Sequence, residues 1–179
     1  MTPSTAAAHY SLNKFSSHQL VDLANTWLEE SIFTDSINYL AMAKDPVMAE
    51  VAPLFESSIS ELGLSIPSRI DAAIYLAIET AENMLSGNTD LVEGASYLYW
   101  NIHHEITDVL PDKEHIGTNL GLEYVFCWLR EIWDCRDGSH INYYQDLPRE
   151  QAKEKFIEHL REESEKWLTH IKSQKGSIQ

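Results

Sequence analysis

His103, His104 and Glu105, with Glu93, Asp108, Asp112, Glu114 and His115 close by, form the one stretch of this chain whose side chains could work as metal ligands or as an acid and base. Neighbouring positions on a helix diverge by about 100°, so the two adjacent histidines cannot easily converge on one ion. His104 and Asp108, four residues apart, are better placed. Helical di-metal sites, however, draw carboxylates from several helices and use a Glu-x-x-His spacing that does not occur here. Helix-end or surface histidines are the expectation. Motifs for a nucleophile elbow, a phosphate-cradling loop or a dinucleotide-binding turn are also missing from the sequence. No catalytic residue, metal or cofactor is assigned. A metal-dependent helical enzyme using Glu93, His104 and Glu105 remains the alternative.

Apolar residues recur at helical spacing along nearly the whole chain, which predicts an all-α fold of about seven helices in one compact domain over 16–179. Residues 1–15 are expected to form a flexible leader. The first helix should open at Ser16 or Ser17, the second after Thr34. The third should begin only near Pro53, because proline lacks the amide that a helix interior needs. A fourth carries Ile70, Ala73, Ile74, Ala77, Ile78, Ala81 and Leu85. The fifth spans roughly 90–109, the sixth 119–134 and the last 148–172. Cys127 and Cys135 lack the spacing of a metal knuckle or redox pair and are expected to be reduced, buried thiols. No basic start followed by an apolar run opens the chain, and no stretch approaches the apolar length a bilayer requires, so a soluble, cytoplasmic protein is expected.

The charge is unevenly distributed. Residues 1–147 carry 22 acidic side chains against 6 lysines and arginines, whereas 148–179 carry 6 against 7. A field of that sign repels nucleic acid and membrane phosphates and speeds the capture of basic proteins. Two of the expected helices also have a second face. In the fifth, a core stripe of Leu91, Ala95, Leu98, Ile102, Ile106 and Val109 lies opposite Glu93, Tyr97, Trp100 and His104. In the sixth, Leu122, Val125, Phe126, Leu129, Ile132 and Trp133 point inward and Tyr124, Trp128 and Glu131 away. Glu105 falls at the angle of the core stripe, where a carboxylate must be hydrogen-bonded or protonated. Aromatic anchors in an acidic rim suit a protein interface, although packing on both sides of a central helix would give the same pattern. Exposure of Trp100 and Trp128 discriminates the two. The loop after the sixth helix adds Asp134, Arg136, Asp137, Tyr143, Tyr144 and Asp146 on an irregular segment. The expected partner-binding set is therefore Trp128, Glu131, Asp134, Asp137, Tyr143, Tyr144 and Asp146.

The phrases "LANTWLEE", "DSINYLA", "DPVMAEVAPLFE", "EGASYLYWNI" and "LPDKEHIG", in that order between Leu20 and Gly121, resemble small bacterial helical proteins that act as immunity proteins beside polymorphic toxins, including those of contact-dependent growth inhibition. That resemblance implies a cytoplasmic antidote that binds a cognate toxin domain stoichiometrically; such toxins are commonly nucleases with basic faces. It carries no residue-level binding motif. The expected function is neutralisation of a basic toxin domain, with no nucleic acid and no membrane as partner. A general acidic adaptor for some other basic protein fits the same residues.

Overall fold

The computed structural model describes residues 1–176, which form eight α-helices and, among the described residues, no strand. The chain divides into two compact units, Met1–Tyr75 and Leu76–Gln179.

The first unit opens with α1 (Pro3–Ser11), so the expected leader is ordered: Thr2 caps it through the Thr5 amide, proline occupies its first turn, and Ala6, Ala7 and Ala8 are buried. Its alanines present too little apolar area to produce a visible periodicity, but they fit where larger side chains would not. In α2 (Ser17–Glu29), Ser16 and Gln19 form a reciprocal capping box. In α3 (Asp35–Ala41), the Thr34 hydroxyl caps Ile37, while the Ser36 amide and hydroxyl both donate to Glu61. Those two bonds hold the Glu61 carboxyl below its ordinary value.

Helix α4 (Met48–Glu61) corrects another expectation, since it begins before Pro53 and runs through it. One backbone bond is lost at the proline, but Val51 and Phe55, one turn apart, are both wholly buried, and their burial outweighs that loss. Leu20, Ala24, Trp27, Ile37, Leu40, Val51, Phe55 and Ile59 close this core. Trp27 stacks on Phe55 at 6.0 Å and donates its indole N–H to the Met1 carbonyl at 2.9 Å.

Helix α5 (Arg69–Ser86) runs through the boundary into the second unit. There α6 (Leu91–Tyr97) is capped by Asp90, whose carboxylate accepts from the Val92 and Glu93 amides. The expected regular helix to residue 109 stops at Tyr97: Leu98–His103 is a π-helical segment, with the His104 amide reaching back five residues to the Tyr99 carbonyl, and His104–Ile106 is a 3-10 turn. Leu91, Ala95, Leu98, Ile102 and Ile106 still form the buried stripe, but Val109, beyond the last turn, is 45% exposed. Helix α7 (Glu123–Asp137) ends at Gly138, which takes the left-handed conformation, and packs chiefly on α8 (Arg149–Gly176). Ala152, Phe156, Leu160 and Trp167 bury one face of α8. None of the described helices is long and apolar enough to cross a membrane.

Candidate functional site

The expected site on α7 and the following loop is only partly open to solvent. Glu131 is only 3% exposed, and its two carboxylate oxygens accept from the backbone amide of Asn142 at 2.9 Å and from its side-chain amide at 2.6 Å. It anchors the loop and cannot meet a partner. Trp128 is half-buried, stacked on His159 at 4.5 Å and on Phe156 at 5.9 Å, with Tyr143 tilted against it at 5.1 Å. Tyr144, also half-buried and in the left-handed region at φ 53°, is hydrogen-bonded to the His159 ring at 2.7 Å.

Arg149 completes the strapping by donating to the carbonyls of Asp134, Gly138 and Ser139. The loop is thus tied to α7 and α8 along its length rather than being a loose presenter of carboxylates. Of the seven residues expected to bind a partner, Asp137, Tyr143 and Asp146 are exposed; Trp128, Asp134 and Tyr144 are half-buried; and Glu131 is internal. The Asp137 carboxyl accepts from the Ser139 amide and is held below its ordinary value chiefly by that residue.

The other aromatic face does reach solvent. Trp100 is 56% exposed, its ring nearly parallel to His104 (5.0 Å, 18°) and to Trp133 (6.1 Å, 23°). Tyr99 meets Trp100, His104, Phe126 and Trp133 edge-on. Glu93 and His104 are exposed and Tyr97 is half-buried, as expected for the outer side of this helix. Trp133 was expected inward; it is half-buried because Trp100 covers it from outside. Five ring-bearing residues within eight positions, Tyr97, Tyr99, Trp100, His103 and His104, are the sequence signal for this cluster. Leu98 and Ile102 take the core, so the rings must crowd the remaining surface.

His103 is not a surface histidine. It is 2% exposed, packed between Tyr99 and Phe126, with Nε2 2.7 Å from Asp112 Oδ2. The other Asp112 oxygen accepts from the Gly117 and Asn119 amides at 2.9 and 3.1 Å. Burial works to raise the Asp112 carboxyl, but the Asn119 amide, the His103 ring and the Gly117 amide outweigh it and hold it below its ordinary value. Because its folded value is depressed, Asp112 stabilises the fold above the unfolded carboxylate range, and that contribution is lost as pH falls through the folded value. Asp112→Ala is therefore expected to cost about 2–3 kcal/mol at pH 7 in urea unfolding, with the difference from the parent shrinking as pH is lowered below about 4.

The remaining chemistry-bearing residues do not converge. Among the described residues no three histidines, cysteines or acids are grouped to hold a metal ion. Glu105 is half-buried, outside the core. Cys127 and Cys135 are free and half-buried rather than fully buried, and burial raises both thiols, which makes them poor nucleophiles.

What the second unit offers a ligand is therefore a charged, aromatic surface. From Leu76 to Asp112 there are seven acidic residues and neither lysine nor arginine. Trp100 and His104 lie within that run. No protein-family model, curated protein or solved structure matches the chain.

Proposed function

We propose that this protein is an antidote: an all-α immunity protein that neutralises a basic toxin domain, a nuclease by preference, through stoichiometric binding. One observation carries the reading, namely that Trp100 is exposed within a 37-residue run, 76–112, that has seven acids and no lysine or arginine. Carboxylates there would stand where the toxin's substrate phosphates stand, and the aromatic rings would supply slow dissociation. Association between opposite fields can approach 10⁸ M⁻¹s⁻¹ or more at low salt, against about 10⁵–10⁶ without steering. Speed suits an antidote that must act before its target. The resemblance of Leu20–Gly121 to immunity proteins points the same way.

An antidote of this kind implies a toxin whose C-terminal domain is encoded immediately upstream of this gene, and the test uses that domain. Mixed with the present chain it should form a one-to-one complex in light scattering and lose its toxicity. Changing the exposed Glu93, Asp137 and Asp146 together to lysine should slow association about tenfold or more at low salt and flatten its salt dependence. A full-strength complex whose rates ignore both salt and these substitutions would defeat the reading.

A further inference from the structure

The Trp100 cluster can be assigned a more specific ligand than a basic surface. We propose that the His104–Trp100–Trp133 ring series is a capture point for an arginine guanidinium of the partner, an inference that rests on the antidote reading and names its anchoring contact.

Three features select this chemistry. The first is shape: Trp100 is nearly parallel to both His104 and Trp133 and is itself 56% exposed, so part of a flat ring series reaches solvent. A planar guanidinium stacks on such a surface, whereas an ammonium is compact and strongly hydrated and loses more on leaving water. The second is polarity. Indole has the strongest negative ring face among the side chains, and two indoles adjoin here. The third is charge. Glu93 is exposed at the start of the same helical stretch and Asp137 one turn beyond Trp133 on α7, and although the exposed Arg130 and Arg136 also flank Trp133, the chain as a whole carries a net charge of −15. That excess attracts a cation, and an exposed carboxylate can accept the guanidinium N–H groups that stacking leaves free.

The π-helical segment Leu98–His103 carries three of these rings, Tyr99, Trp100 and His103, and His104 follows at its end; Tyr99 contacts the other three, and His104 contacts both Trp100 and His103. Wide turns of this kind recur at functional positions. Tyr99 meets Trp100, His104 and Trp133 edge-on and stacks on His103.

The experiment uses octa-arginine and octa-lysine as probes on the full-length protein labelled with ¹⁵N at tryptophan, whose five indole N–H resonances report separately. Octa-arginine should move the Trp100 and Trp133 signals at low salt and leave those of the buried Trp27 and Trp167 in place. Octa-lysine should produce smaller shifts at the same concentration. Trp100→Ala should weaken octa-arginine binding about fivefold, and Trp100→Phe should recover part of it with an unchanged circular dichroism spectrum. Equal shifts with both peptides, shifts absent from Trp100, or undiminished binding by Trp100→Ala would each overturn the assignment. These outcomes are separable from failure of the antidote reading: an upstream-encoded domain that fails to bind removes the antidote but not arginine capture, and one that binds Trp100→Ala at full strength removes the capture point alone.

Discussion

Trp27→Ala will lower the stability of the first unit by about 3–5 kcal/mol, the range for truncating a large, fully enclosed aromatic side chain. Trp27 has no exposed surface and lies flat against Phe55, which in turn touches Tyr10 and Phe15. Removing the indole leaves a cavity that α2, α3 and α4 cannot close without leaving their own contacts. It also deletes the donor that holds the Met1 carbonyl, so α1 loses a tie near its start. Trp27→Phe keeps most of the apolar area while losing that bond, and should cost clearly less than the alanine variant. Urea unfolding gives the magnitudes. Amide exchange should show faster opening in 1–62, and a loss of protection confined to the second unit would contradict the packing described.

Gly117→Ala is the second large effect, expected at about 2–5 kcal/mol because strain and overpacking act together. Gly117 has φ 92°, a conformation that side chains resist, and a methyl group there would lie 2.6 Å from the Phe126 ring and 3.0 Å from the Glu123 backbone nitrogen. Phe126 cannot step aside, since Tyr99 and His103 pack on it. The Glu123 nitrogen belongs to the first turn of α7. Gly138→Ala is the control: it also has a positive φ, 86°, but nothing lies within 4 Å of the added carbon, so only the conformational cost of about 1–2 kcal/mol applies. A Gly117 variant as mild as the Gly138 variant in thermal melting would show that the 112–122 turn is not fixed as described.

Those two positions also show what could and could not be read from the residue order. Trp27 belongs to an apolar spacing on α2 that declares itself, and the caps at Ser16, Thr34 and Asp90 behave as their side-chain chemistry requires. Elements whose stability is local, or whose apolar face repeats, were legible. Helix α1 was not, because three alanines carry little signal until something packs on them. Pro53 misled for the opposite reason: a rule about one missing amide was overridden by the burial of Val51 and Phe55 on either side of it. At the candidate site, the acidic and aromatic types were visible but their roles depended on remote partners. Glu131 is satisfied by Asn142, eleven residues on in a loop, and Trp128 is covered by His159 from another helix. Nothing near either residue announces such a partner. Trp100 kept the outward position its spacing implied, while Trp133 is half-buried beneath it rather than fully inward.

The wide turn at Leu98–His103 has a consequence at the level of the gene. A π turn holds one more residue than an α turn, so in-frame loss of a single codon, that of Asn101, would let α6 wind on regularly with its flanking apolar positions still in phase. Such a lineage could keep its stability and shed the ring cluster in one event, and an insertion of one codon could restore it. Changes in that ring cluster would then appear as single-residue gaps rather than as substitutions.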